Sequence, residues 1–306
     1  MMASTADARR VETPDGDVEI SRPEKILFPG VGLAKADLAE YYARVGERMV
    51  PLIRRHPVVM HRWPDGIQGD DFWSKSVPDH FPEWIRRVEL PKREGGTITQ
   101  VVADDVATLV YLAGQGCITP HVWLSRADAP EHPDQLIVDL DPSGEDLEPV
   151  RRGGRALRDL FTELEVPAFV KSSGSRGLHV HVPLDGSGDF GAAKRTARAV
   201  AERLVSDDPD WFTLEQRKDE RGDRLFLDVL RNDYAQRAVA PCGSSTKPPA
   251  CPFALPLDWD EAVATDFDPG RWTVGNVFRR LDQKADPWAG FAESAISVAE
   301  LADRLG

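Results

Sequence analysis

Between Gln135 and Leu230, four short apolar runs alternate with two amphipathic stretches, and this pattern constrains the fold more than any other feature of the chain. Gln135-Leu136-Ile137-Val138-Asp139-Leu140-Asp141-Pro142 reads as a strand closed by a proline. Residues 147–164 follow as an amphipathic helix, and residues 168–171 and 178–182 read as strands around the turn 172–177. A helix over 191–205 and a strand over 225–230 complete the set. Strands interleaved with helices require a sheet with helices packed on it, so the fold class is mixed α/β or α+β. Upstream, residues 35–53 carry Leu38, Tyr41, Tyr42, Val45, Met49 and Leu52 at helical spacing. Residues 58–63 read as a strand stopped by Pro64-Asp65-Gly66, and residues 97–112 as a strand leading into a helix. Five prolines between 240 and 258 exclude regular structure there. Residues 1–19 read as a mobile leader. The remainder, 20–306, reads as one domain with a smaller N-terminal portion (20–125) and a larger core (126–306), without a flexible linker between them.

The 306 residues suffice for a sizeable core. No apolar run is long enough to span a bilayer, and the N-terminus has no apolar signal segment, so a cytoplasmic location with no membrane partner is expected. Cys117, Cys242 and Cys251 show no C-x-x-C spacing, so reduced thiols are expected rather than disulfides or structural zinc. A net charge of −13 argues against a surface evenly coated with Lys and Arg. The charge is uneven, however. Residues 20–62 hold eight basic side chains against four acidic ones, so a local positive surface is compatible with the acidic total.

Three groups carry chemistry. Asp139 and Asp141 are two apart on a strand and share a face, where carboxylates repel one another unless a cation intervenes. With Asp228 closing another apolar strand, they suit two hard divalent ions of the kind used in phosphoryl transfer. Second, Ser172-Ser173-Gly174-Ser175-Arg176-Gly177-Leu178-His179 offers backbone N–H groups, hydroxyls and an arginine to a phosphate, though it lacks P-loop spacing. His179 is assigned to phosphate contact and His181 to structure. Third, Arg62-Trp63-Pro64-Asp65-Gly66 and Phe72-Trp73-Ser74-Lys75 interleave cations with aromatics, as in surfaces that stack bases; an ordinary aromatic core reads equally well from these residues.

The ordered set EKILFP, RWPDG, PHVWLSR, DLDP, SSGSRGLHVHVPL, RLFLDVLRN and AVAP resembles the polymerase domain of bacterial DNA ligase D, in the archaeo-eukaryotic primase superfamily, over roughly residues 20–265. The resemblance implies a primase-like catalytic core with an RRM-like sheet. It implies metal-dependent addition of ribo- or deoxynucleotides to a primer 3′-hydroxyl at DNA breaks or short gaps, in non-homologous end joining or gap repair. Asp139, Asp141 and Asp228 would hold two Mn²⁺ or Mg²⁺ ions, with Mn²⁺ favoured. Ser173, Arg176, His179 and His121 would meet the nucleoside triphosphate. Lys25 and Lys35 would bind a 5′-phosphate, Phe72 and Trp73 would stack on the template or splay the strands, and Arg221 and Arg224 would lie beside the third aspartate as DNA contacts, as would His61 and Arg62. The implied partners are DNA with a gap or 5′-phosphorylated end, Ku and a separate DNA ligase, and the implied location is nucleoid-associated.

Two departures stand out. His61 replaces a lysine common in relatives, which makes the 5′-phosphate pocket weaker or pH-sensitive. At 242–245, Cys-Gly-Ser-Ser replaces Tyr-Ser-x-Arg, leaving Lys247 as the substitute for an arginine near the triphosphate. A catalytically weakened DNA-end or gap-binding subunit is therefore the alternative reading. A glycosyltransferase, which also uses Asp-x-Asp, fits poorly with Asp228 and the 172–179 turn. With no ligase or nuclease segment after Gly306, a standalone polymerase is expected.

Overall fold

The computed structural model describes residues 8–246 and 251–306. The chain forms two compact units, residues 1–123 with 239–252 and residues 124–238 with 253–306. The units divide at 123/124, and a segment beyond 238 rejoins the first.

The first unit opens with a hairpin of β1 (Ala8–Val11) and β2 (Val18–Ser21), paired antiparallel. The mobile leader expected over 1–19 is therefore corrected from Ala8 onward. Val11, Val18 and Ile20 are buried, and that apolar burial holds the short strands in place. A small ribbon, β3 (Ile26–Phe28) and β4 (Leu33–Ala34), leads into α1 (Lys35–Ile53), whose bounds match the 3.6-residue spacing of its apolar side chains. Asp37 caps the start of α1 by accepting from the Ala34 N–H at 2.8 Å. The strands β5 (Pro57–Arg62), β6 (Phe72–Ser74), β7 (Arg87–Pro91) and β8 (Thr97–Val102), the helix α2 (Val106–Gly114) and the strand β9 (Cys117–Trp123) follow. In the sheet, β5 lies between β9 and β8, and its second half pairs β6 instead of β8.

The second unit is built on β10 (Gln135–Asp141), α3 (Glu148–Glu163), β11 (Phe169–Ser172), β12 (Leu178–Pro183), α4 (Phe190–Asp207), the two-residue β13 (Phe212–Thr213), the short α5 (Lys218–Arg221) and β14 (Leu225–Asp228). Its sheet runs β13-β14-β10-β12-β11, and the β14-β10-β12-β11 neighbours are all antiparallel. A β-α-β-β-α-β chain in that spatial order is the RRM-like arrangement, so the sheet is α+β and not parallel. After β15 (Arg237–Val239), the two-residue β16 (Pro256–Leu257) adds to the β11 edge. The described residues of 240–258 are thus irregular except at this edge, where proline is tolerated. Helices α6 (Trp259–Ala262), α7 (Val277–Gln283) and α8 (Val298–Leu305) close the chain.

Alternation along these strands separates two faces. Val138, Leu140, Val170, Leu178, Val180, Leu225 and Leu227 join Leu157, Phe161, Ala197 and Val200 of α3 and α4 in one buried core. The opposite face carries Asp139, Asp141, His179, Lys171 and Asp228. All three cysteines are free and buried, and burial pushes the Cys117 thiol up to about 12, which keeps it an unreactive thiol at neutral pH. Among the described residues no helix is long and apolar enough to cross a membrane.

Candidate active site and nucleic-acid interface

On the face turned away from α3 and α4, strand register places four polar side chains in one row. Lys171 of β11 is opposite His179 of β12, His179 is opposite Asp139 of β10, and Asp139 is opposite Asp228 of β14. Asp141, two residues beyond Asp139, shares their face. His179 Nε2 stands 3.5 Å from Asp139 Oδ1. Burial, the Asp228 carboxylate and, less strongly, Asp141 push Asp139 up from 3.8 to about 7, while Arg231 and Lys171 pull the other way. Asp141 Oδ2 accepts from Arg221 Nη1 at 3.3 Å, and Arg231 Nε is 3.9 Å from Asp228 Oδ2.

The turn that precedes β12 is fastened to this row. The Ser173 Oγ accepts from the Ser175 and Gly177 N–H groups at 3.2 and 3.0 Å, leaving its own proton to donate. A Cβ on Gly177 would stand 2.1 Å from the Leu140 carbonyl oxygen, so only glycine lets the turn lie against the strand between the two aspartates. Arg176 and His179 flank that glycine. His181 has the structural role expected of it. Its Nδ1 bonds Gln135 Oε1 at 2.8 Å, its ring meets Trp288 edge-on, and burial holds its pKa well below the ordinary histidine value.

The carboxylates provide the hard oxygen donors that Mg²⁺ and Mn²⁺ prefer, and the Asp228 repulsion that adds to burial in raising Asp139 is what a bound cation would relieve. Among the described residues, however, no three His, Cys, Asp or Glu side chains stand close enough together to hold an ion. Arg221 engages Asp141 and Arg231 stands beside Asp228, so the three carboxylates share a face without sharing a focus. The donor chemistry fits a divalent ion; the side chains must turn inward to hold one.

Arg221 itself differs from the DNA contact expected of it. It is buried, its guanidinium lies 3.9 Å over the Phe226 ring, and it donates to the carbonyls of Glu215 and Gln216 as well as to Asp141. Arg224 donates to the Arg221 and Glu220 carbonyls. Both line a cleft of about 810 Å³ that also includes Ser143 and Trp211.

In the first unit, the backbone between β2 and β3 folds over the start of α1. The Lys35 and Ala36 N–H groups donate to the carbonyls of Lys25 and Pro23 at 2.8 and 3.0 Å, which brings Arg22, Lys25 and Lys35 together. Lys35 is buried, and desolvation with the neighbouring Arg22 and Lys25 charges lowers it from 10.5 to about 8. Lys25 pairs with Asp65 of the Pro64-Asp65-Gly66 turn. Three cations are thus crowded at the start of α1.

On β5 and β6 of the same unit, His61 is stacked on Trp73 with ring centroids 4.0 Å apart, contacts Trp63 at 3.7 Å, and is hydrogen-bonded to Asp71 at 2.6 Å. His121 meets Trp73 edge-on at 4.8 Å, and the Arg62 guanidinium sits 5.1 Å over Phe72. Phe72 and Trp73 are 45% and 40% exposed, so the aromatic pair is a surface platform and not core. Segment 242–245 is built into the interior of this unit. The Cys242 carbonyl accepts from Tyr41 Oη at 2.8 Å, and Ser244 bonds Tyr42 and the Ile118 carbonyl. Lys247 lies outside the described residues.

Sequence reasoning missed Lys171, Arg231, Arg22 and Asp71. Lys171 was detectable as a cation inside an apolar strand; the others depend on which strands and turns become neighbours.

The family described as the primase-polymerase domain of LigD matches residues 34–288. Similar proteins include the multifunctional non-homologous end joining DNA repair protein LigD of Mycobacterium tuberculosis, 31% identical over 94% of this chain and 38% of that protein. The LigD of Mycolicibacterium smegmatis is 30% identical over 88% of this chain and 35% of that protein. The chain therefore spans little more than a third of these relatives. Among solved structures, the polymerase domain from Mycobacterium tuberculosis ligase D in complex with DNA superposes with a TM-score of 0.84. It is 27% identical, over 91% of this chain and 99% of that one.

Proposed function

Because the chain belongs to the LigD primase-polymerase domain family, we propose that it is a DNA-directed nucleotidyltransferase that adds ribo- or deoxynucleotides to a primer 3′-hydroxyl at breaks or short gaps. The observation that carries the reading is the register row His179–Asp139–Asp228 with Asp141 on the same face. Asp139, Asp141 and Asp228 would hold Mn²⁺ or Mg²⁺, as two ions. Bound there, the metal supplies activation of the attacking oxygen and neutralisation of charge on the triphosphate. The residues of the chain bind and orient. Arg176, His179 and the Ser173 hydroxyl face the phosphates from a turn fixed to the Asp139–Asp141 strand. His121 is assigned to the nucleotide, by the family pattern. The cation cluster of Lys25, Lys35 and Arg22 takes a 5′-phosphate at the far edge of a gap, and Phe72 and Trp73 stack on template bases. Ku and a separate DNA ligase are the partners this activity calls for, in end joining or gap repair.

Primer extension with Mn²⁺ and each nucleotide is the test. Asp139→Ala is expected to abolish extension with DNA binding retained; continued extension by that variant overturns the metal assignment. A second reading, a DNA-end or gap-binding subunit with weakened catalysis, is favoured by the 242–245 segment, where Cys242 and Ser244 serve the interior of the first unit and no arginine stands. Absence of extension at every nucleotide concentration, with DNA binding intact, selects that reading.

A further inference from the structure

Beside the Phe72–Trp73 platform, the first unit exposes a second aromatic group. Trp84 is 51% exposed, its ring centroid 5.8 Å from that of the half-buried Tyr111 in an edge-on contact. Tyr111 in turn packs edge-on against the buried Phe81 at 5.0 Å, which fixes its ring. Arg62 joins the two groups. Its guanidinium lies over Phe72, and its Nε donates to the carbonyl of Gln115 at 2.9 Å, whose own N–H donates to the Tyr111 carbonyl at 3.0 Å, one helical turn back. Arg87 donates through Nη2 to the carbonyls of Phe81 and Pro82 at 2.7 and 3.2 Å, beside Trp84 in the chain. Carbonyls fix a guanidinium without neutralising it. Arg62 and Arg87 are thus held in place with their charge still directed to a partner, whereas Arg86 is already paired with Asp104.

Large exposed aromatics on a soluble surface mark an interaction site, and fixed cations between them select a polyanion whose units carry flat faces. We propose that the strip from Trp73 and Phe72 through Arg62 to Tyr111 and Trp84 is a track for single-stranded nucleic acid, and that its occupant is the unpaired template beyond the bases stacked at Phe72 and Trp73. The assignment rests on the template-directed reading above. It extends that reading to a contact set by the length of the unpaired strand, with no dependence on its sequence, because every base presents a π-face.

Binding of fluorescein-labelled primer–template duplexes with an unpaired template tail of about two or about twelve nucleotides tests the track, since sites of this kind cover about 4–16 nucleotides. Wild-type protein binds the long-tailed duplex about tenfold more tightly, Trp84→Ala loses that gain, and Trp84→Phe keeps most of it. Both variants bind the short-tailed duplex as wild type does, which reports their folding. Equal affinities of wild type and Trp84→Ala for the long tail overturn the proposal, as does a wild type indifferent to tail length. Extension of the same duplexes reads the polymerase assignment separately. A tail-length gain lost in Trp84→Ala without any extension leaves the track standing and removes the polymerase.

Discussion

The sheet of the second unit gathers three carboxylates on one face, while the first unit gathers three cations around the start of α1. In each, like charges are brought closer than water alone would favour. Burial first, and the like charges of Asp228 and Asp141 after it, raise Asp139 to about 7, as burial first, and Arg22 and Lys25 after it, lower Lys35 to about 8. Each site is thus pushed toward neutrality, and under the proposed function a counter-charge would relieve it, a divalent cation in one and a phosphate in the other. The supports differ. The acidic site is laid out by strand register, so its spacing belongs to the sheet. The basic site is laid out by backbone bonds to the end of a helix, so it depends on one short turn.

The largest effect is expected from breaking the acidic site's support. Gly177→Ala forces the turn off Leu140, costing about 1–3 kcal/mol of stability by overpacking. A displacement of about 1 Å at the row should lower extension about a hundredfold. Thermal unfolding and primer extension check both, and a variant with wild-type extension would show that the row does not need its turn.

Next comes the pH dependence of the acidic site. Asp139 holds its proton more tightly folded, at about 7, than in the ordinary 3.8 of an open chain, so the folded state binds more protons between those values. Metal-free protein should therefore lose stability as pH rises from 3.8 to about 7, and Asp139→Asn should flatten that slope. Added Mn²⁺ at pH above 7 should raise the Tm of wild type by several degrees and leave Asp139→Asn nearly unmoved. A wild-type Tm indifferent to Mn²⁺ would separate the two sites in kind, leaving only the cationic one as a counter-charge site.

The basic site should show the opposite slope. Lys35 releases its proton more readily folded, at about 8, than unfolded, at 10.5, so stability should rise with pH through that window. Lys35→Met should remove the slope and raise the Tm at pH 7 by about 2–4 °C per kcal/mol relieved. It should also abolish any preference for 5′-phosphorylated gaps. Lys25→Ala is expected to have the smallest effect. Lys25 pairs with a largely exposed Asp65, so its loss should leave the Tm unchanged while weakening the preference for a phosphorylated gap over an unphosphorylated one. Equal loss on both DNAs would assign Lys25 to general backbone contact.

Much of the second unit was legible in advance because its strands are apolar on one face and broken by turn residues or proline. The helix Lys35–Ile53 was legible for the equivalent reason, six apolar side chains on one stripe. Asp139 and Asp141 could be placed on a common face from their spacing alone. What spacing could not supply was partnership across strands. Lys171 joins the acidic row only because Phe169–Ser172 pairs with Leu178–Pro183, and Arg221 turns inward because the Glu215 and Gln216 carbonyls, the Phe226 ring and Asp141 all lie within its reach. The hairpin from Ala8 was invisible for a similar reason, since its four-residue strands are too short to show a period and are held by burial of three side chains.

The path of the chain also sets an order of events during synthesis. Tyr41 and Tyr42 emerge early, yet the Cys242 carbonyl that accepts from Tyr41 and the Ser244 hydroxyl bonded to Tyr42 belong to residues made some two hundred positions later. The RRM-like strands, complete by Asp228, have all left the ribosome before the first unit acquires its last segment. A chain ending before residue 239 would lack the Cys242 carbonyl that the buried Tyr41 hydroxyl donates to, which makes that stretch a poor place to end a truncation.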